Sequence, residues 1–209
     1  MPTTKIMVIR HAERPRHKNN EFGVDPTGQS CGIAANKHLS VQGWQRAGAL
    51  ITLFVPPWGP KAHLATPATL FASNPVAGAT PNSDAVEDVP SQRPAETLGP
   101  LQKRLGLPSG VNTTFSKVNY AAMVTDALAS DGVVLIAWQH KDIPFIGSEV
   151  LRQTKTPDGS VAVPAQWPVG SATQDSRYDL VWVFDRSDPI GPIESFTTIA
   201  QMLLFGDQP

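Results

Sequence analysis

Apolar residues in this chain fall into short solid runs and longer stretches of helical spacing, and the two kinds alternate. Residues 5–9 (KIMVI) form a compact run that stops at Arg10-His11-Ala12-Glu13-Arg14-Pro15, which reads as a buried strand followed by a polar loop. In residues 41–54, Trp44, Ala47, Leu50, Ile51 and Phe54 recur at helical spacing behind Ser40, a natural N-cap, and Pro56-Pro57 ends the helix. Residues 70–73 (LFAS) predict a second strand. Residues 92–105, preceded by Ser91, predict a second helix with Leu98, Leu101 and Leu105 on one face and Gly106 just past its end. A third helix is expected over 119–130. The turn Asp131-Gly132 then leads into 133–138 (VVLIAW), the most apolar run and the best candidate for a central strand. His140 lies just beyond it. A fourth helix is expected over 143–151 and a further strand over 178–184, while 196–204 fits either strand or helix.

Strands alternating with helices predict an α/β fold: one domain over residues 1–209, built as a three-layer α/β/α sandwich around a largely parallel central sheet. Two Pro, Gly and Ser-rich stretches without periodicity, about 74–90 and 154–176, are expected to be surface loop insertions. No internal repeat is visible.

Composition narrows the classes. With 209 residues, 41% hydrophobic and 17% charged, the chain suits a folded soluble domain, and its 20 Pro and 16 Gly call for many irregular connections. The balance of 17 Lys and Arg against 18 Asp and Glu gives no global basic field, so neither nucleic acid nor an anionic membrane is an expected partner. No apolar run approaches the roughly 18 residues that span a bilayer, and the apolar part of the N-terminal region ends at Arg10. A single cysteine, Cys31, closes no intramolecular disulfide and favours a reducing, cytoplasmic setting. Nothing in the pattern speaks to oligomeric state.

The chemistry concentrates at two strand ends. In an open α/β sheet, ligands bind outside the carboxyl ends of strands, where His11 and His140 both fall. Arg10, Arg14, Arg16 and Lys18 crowd around His11, and such a cluster suits a phosphoryl group, which accepts bidentate hydrogen bonds from guanidinium. The plainer alternative is a solvated basic loop with two surface histidines.

Further motifs favour the site. Arg10-His11-Ala12-Glu13 after an apolar strand is followed by Leu39-Ser40-x-x-Gly43-x-x-Arg46-Ala47. Then come Leu70-Phe71-Ala72-Ser73, Arg93-Pro94-x-Glu96-Thr97, and an apolar strand into His140-x-x-Ile143-Pro144. This ordered set resembles the histidine phosphatase superfamily, the group of the phosphoglycerate mutases and many acid phosphatases. The resemblance implies hydrolysis of a phosphate monoester through a phosphohistidine, with a small phosphorylated substrate and neither cofactor nor metal. It implies that His11 is the nucleophile, that Arg10 and Arg93 hold the phosphoryl oxygens, that His140 completes the pocket, and that Arg14 is the extra phosphate-binding arginine of the acid-phosphatase branch. Guanidinium groups around an imidazole lower its pKa and stabilise charge on the equatorial oxygens. The alternatives are a phosphomutase and a non-catalytic phospholigand-binding or interaction module on the same fold.

Departures from the family pattern leave the proton donor open. Ala12 stands where the mutase-like branch has Gly, and His17 where it has Asn. The acid-phosphatase branch places its Asp directly after the second His, whereas here Lys141 intervenes before Asp142. Asp142 and Glu13 are the candidate acids, and Glu13 is equally suited to a salt bridge with Arg14, Arg16 or Lys18. Rival chemistries lack their signatures: Cys31 is followed six residues later by Lys37, not Arg, and Asp185 and Asp188 are not an Asp-x-Asp pair. His17, His38 and His63 are not expected to bind metal. Trp44 and Trp138 are expected in the core, with Trp58 and Trp167 as loop residues able to wall a pocket.

Overall fold

In a computed structural model, residues 3–16, 21–29, 37–74, 91–170 and 176–209 are described. The elements run β1 (Lys5–Arg10), α1 (Val41–Phe54), β2 (Thr69–Ala72), α2 (Arg93–Leu105), α3 (Tyr120–Ala129), β3 (Val133–Trp138), α4 (Ile143–Gln153), β4 (Leu180–Asp185) and β5 (Ser195–Ala200). Ser40 caps α1 as expected, its hydroxyl accepting from the Gly43 N–H. At the end of α2, Gly106 takes a left-handed φ of 64° and its N–H closes on the Gln102 carbonyl. Helix α2 also carries Pro100 in its interior, a residue that costs a helix about 3 kcal/mol. Burial of Leu98 and Leu101 in the core offsets that cost, at about 1.5–3 kcal/mol for each large apolar side chain.

One five-stranded sheet, in the order β2-β3-β1-β4-β5, carries the fold. Side-chain alternation along β1 divides the apolar residues between two cores. Ile6 and Val8 pack with Met123, Val124 and Ala127 of α3 and with Ile146 and Val150 of α4. Met7 and Ile9 pack with Leu50, Leu53 and Phe54 of α1 and with Leu98 and Leu101 of α2. Residues 196–204, open between strand and helix in the sequence, begin inside β5.

The expectation of a largely parallel sheet is corrected. Strands β1, β2 and β3 are mutually parallel, but β4 runs antiparallel to β1, and β5 antiparallel to β4. The reason lies in residues 154–170, which are not simply a surface insertion. Thr156 Oγ1 accepts from the Ile193 N–H beyond the far end of β4, whereas Trp167 Nε1 donates to the Arg177 carbonyl just before β4 begins. This irregular segment therefore travels the length of the sheet after α4 has already travelled it once. The chain arrives at β4 from the same edge at which β3 ended. Trp167 is buried on the way, its ring centroid 5.1 Å from that of Trp182, so it belongs to the core. Trp138 is core as expected, and Trp58 is exposed. The proposed insertion over 74–90 lies outside the described residues from 75 onward. Among the described residues, no helix is long and apolar enough to cross a membrane.

Candidate active site

Because β1 and β3 are parallel neighbours with Arg10 paired to Trp138, their carboxyl ends lie side by side. The ladder extends one step further, the His11 N–H donating to the Trp138 carbonyl at 2.9 Å. His11 and His140 are thereby brought to one edge of the sheet. Arg93 is brought there by α2: the Ala12 N–H donates to Thr97 Oγ1 at 2.8 Å, and that hydroxyl donates to the Arg93 carbonyl at 2.7 Å. Arg93 Nε donates to Ser91 Oγ at 2.9 Å.

Arg10 and His11 are both buried, each only 5% exposed. Nδ1 of His11 lies 2.8 Å from the Ala12 carbonyl; as the donor in that bond it leaves the Nε2 lone pair free. Burial holds the His11 imidazole well below its ordinary pKa, and the positive charges of Arg93 and Arg10 push the same way. His140 is depressed to about 4 by burial, reinforced by Arg10, Lys141, Arg14 and Arg93. Burial also lowers Arg10 to about 10, which leaves it charged at neutral pH. The edge thus carries two neutral imidazoles among three guanidinium groups. Arg10 Nε and His140 Nδ1 are buried and find no hydrogen-bond partner among the described residues, a costly state for polar groups unless a ligand bonds to them.

Of the sequence-predicted site residues, Arg10, His11, Arg14, Arg93 and His140 act electrostatically on one another. The two candidate acids each bond a neighbour: Glu13, which also acts electrostatically on Arg10, bonds Arg46, and Asp142 bonds Gln139. Glu13 is buried, and its Oε1 accepts from Arg46 Nε at 2.9 Å, a partner distant in the chain; Lys18, one of the expected partners, lies outside the described residues. Asp142 sits at the N-cap of α4 and accepts from the Gln139 amide. Burial raises its pKa against the pull of Gln139, Lys117 and Trp138. Tyr178, which the sequence pattern placed inside a strand, stands instead just before β4 and faces the site. The antiparallel direction of β4 puts it there, and no local sequence signal carries that information.

The remaining histidines take other places. His38 bonds through Nδ1 to Glu96, and His63 adopts a φ of 67° in the turn before β2. His17, Lys18 and Cys31 lie outside the described residues. Among the described residues, no group of three or more His, Cys, Asp or Glu side chains is placed to hold a metal ion. Comparison with protein-family models gives no match, and comparison with curated proteins gives none.

Proposed function

We propose that this protein hydrolyses phosphate monoesters through a phosphohistidine on His11, as in the histidine phosphatase superfamily. The observation that carries the proposal is the buried His11 imidazole, its Nδ1 2.8 Å from the Ala12 carbonyl and its pKa lowered by burial and by Arg93 and Arg10, with Arg14 acting on Arg10 beside it. In the first step Nε2 forms a bond to phosphorus as the ester P–O bond breaks, and the leaving oxygen takes a proton from an acid or from water. In the second, water attacks phosphorus and the P–N bond breaks, releasing inorganic phosphate and restoring His11. Arg10, Arg14 and Arg93 balance the charge on the equatorial oxygens, and His140 supplies a further hydrogen bond. Loss of one such oriented donor costs about 100-fold or more in rate.

The two apolar cores fed by alternate residues of β1 support the three-layer α/β/α arrangement that this family reading carries. A small phosphorylated substrate, no nucleic acid partner and a cytoplasmic setting complete it. Brief reaction of the wild type with a labelled ester is expected to trap an acid-labile, base-stable adduct, and His11→Ala to abolish both adduct and turnover. Turnover retained in His11→Ala would end the proposal. One observation favours a second reading, a non-catalytic phospholigand-binding module: both candidate acids are engaged with neighbours other than His11. Binding of phosphate without turnover of any aryl phosphate would select it.

A further inference from the structure

We propose that residues 201–209, which follow β5, form a clasp that sets the spacing of the two loops building the site, with Asp207 and Asp179 as positioning residues. The inference rests on the phosphate-site reading for its consequence but on separate contacts for its geometry.

One arm reaches the loop after β1. Arg46 of α1 is 3% exposed and shares its guanidinium among three groups. Nε donates to Glu13 at 2.9 Å, Nη1 to Gln201 at 3.0 Å, and Nη1 and Nη2 to the two Asp207 oxygens at 3.1 and 2.7 Å. Asp207 Oδ2 also accepts from the Leu203 and Leu204 N–H groups at 2.7 and 3.1 Å, so the segment folds around this carboxylate. Glu13 is two residues from His11. The chain of contacts thus runs from Asp207 through Arg46 to the nucleophile loop.

The other arm reaches the loop before β4. Asp179 accepts from the Gln208 N–H at 2.8 Å and holds Arg177 through Nε at 2.9 Å and Nη2 at 2.8 Å. Arg177 donates in turn to the Gln208 carbonyl, and the Gln201 N–H donates to the Asp179 carbonyl at 2.8 Å. Between Arg177 and Asp179 sits Tyr178, and Ser176 beside them accepts from Arg10 Nη1. Both loops are therefore fastened to one short segment: the loop after β1 through Arg46, whose guanidinium forks onto Asp207 and also holds Glu13, and the loop before β4 through Asp179 and Arg177, which pair with each other and bond the backbone of Gln208. A cavity of about 350 Å³ lined by Glu13, Arg46, Arg177, Tyr178, Asp207 and Gln208 marks where the arms meet.

The clasp is tested in the full-length chain with Asp207→Asn and Asp207→Glu, reading amide exchange and vanadate affinity together. For Asp207→Asn, exchange is expected to rise in peptides covering both 10–14 and 176–179 while that of β3 stays at the wild-type rate. Vanadate affinity is expected to fall about 10-fold to 100-fold, since small misplacements at a site cost that much. Removing a negative charge would by itself strengthen anion binding, so a weaker complex reports geometry and not field. Asp207→Glu, which keeps a carboxylate fork, is expected to recover part of the affinity. If Asp207→Asn does not fold, Arg46→Lys is judged by the same readouts. Unchanged exchange in either loop, or loosened loops with wild-type vanadate affinity, overturns the inference. If both loops loosen but the wild type binds no vanadate, the clasp stands and the phosphate reading falls.

Discussion

The guanidinium carbon of Arg10 lies 3.6 Å from the centroid of the Tyr178 ring, while Arg10 Nη1 donates to the Ser176 carbonyl two residues before that ring. One face of the cation is covered by the aromatic and one edge is tied to the backbone, and Nε has no hydrogen-bond partner among the described residues. Tyr178 also stands 6.1 Å from the His11 ring, centroid to centroid. A single side chain thus packs against both Arg10 and His11.

Tyr178→Phe keeps the ring and is expected to retain most of the activity. Tyr178→Leu removes the cation–π contact, worth about 1–2 kcal/mol when partly desolvated, and is expected to lower kcat/KM about 5-fold to 30-fold. Steady-state kinetics on both variants check this. Equal losses in the two would place the effect in the hydroxyl and not in the ring.

Depressed imidazoles have a pH signature. In the unfolded chain His140 binds its proton near the ordinary 6.5, and in the folded chain only near 4. Between these values the unfolded chain holds more protons, so stability rises with pH across that window and the penalty is gone above it. His11 contributes with the same sign. Histidine side-chain NMR is expected to show both rings neutral at pH 6, and added phosphate or vanadate to raise both pKa values by supplying negative charge. A His11 ring that titrates at 6.5 or above would contradict the electrostatics described.

Gly43 in the first turn of α1 touches the loop that carries His11. A Cβ there would stand 2.4 Å from the Glu13 carbonyl oxygen and 3.1 Å from the Glu13 nitrogen, both backbone atoms with little room to yield. The Glu13 carbonyl meanwhile accepts from the Ser40 N–H at 2.9 Å. Gly43→Ala is therefore expected to cost about 1–3 kcal/mol in urea unfolding, as other overpacked contacts do, together with a fall in the proposed phosphatase activity. Wild-type stability and activity in this variant would show that the loop yields freely.

Proton donation is decided by leaving-group dependence. On the proposed phosphatase reading Asp142, whose pKa is raised by burial, is taken as the acid, since Glu13 Oε1 is bonded to Arg46. Asp142→Asn is expected to slow alkyl phosphate hydrolysis by about 100-fold to 10,000-fold, and p-nitrophenyl phosphate hydrolysis far less, because a good leaving group needs no acid. Glu13→Gln is the parallel control. A steeper dependence in the Glu13 variant alone would reassign the role to Glu13.

Much of this architecture was legible from local pattern. The runs KIMVI and VVLIAW could be little other than buried strands, and the spacing of Trp44 through Phe54 behind Ser40 predicts the bounds that α1 adopts. Burial imposes these periods residue by residue, so they survive in the sequence. Arg93, at the start of α2, was expected only from the family resemblance, whereas the placing of His11 and His140 at one edge was legible in the pattern. Parallel strands followed by loops deliver their carboxyl-end residues to one edge, and the motifs fall at those ends.

Strand direction was not legible. An apolar run reads the same in either orientation, and had the strand over 178–184 run parallel to β1, it would have delivered Asp185 to the site edge. Because residues 154–170 carry the chain back along the sheet, β4 is reversed and delivers Tyr178 instead, while Asp185 pairs with Lys5 at the opposite end. The partner of Glu13 was hidden for a related reason. Arg14 and Arg16 were the nearest cations in the chain, yet the partner is Arg46, which also reaches Asp207 across a separation of 161 residues. Periodicity records which face of an element is buried, whereas the partner of a buried charge depends on which distant segments pack together, and packing leaves no local period in the chain.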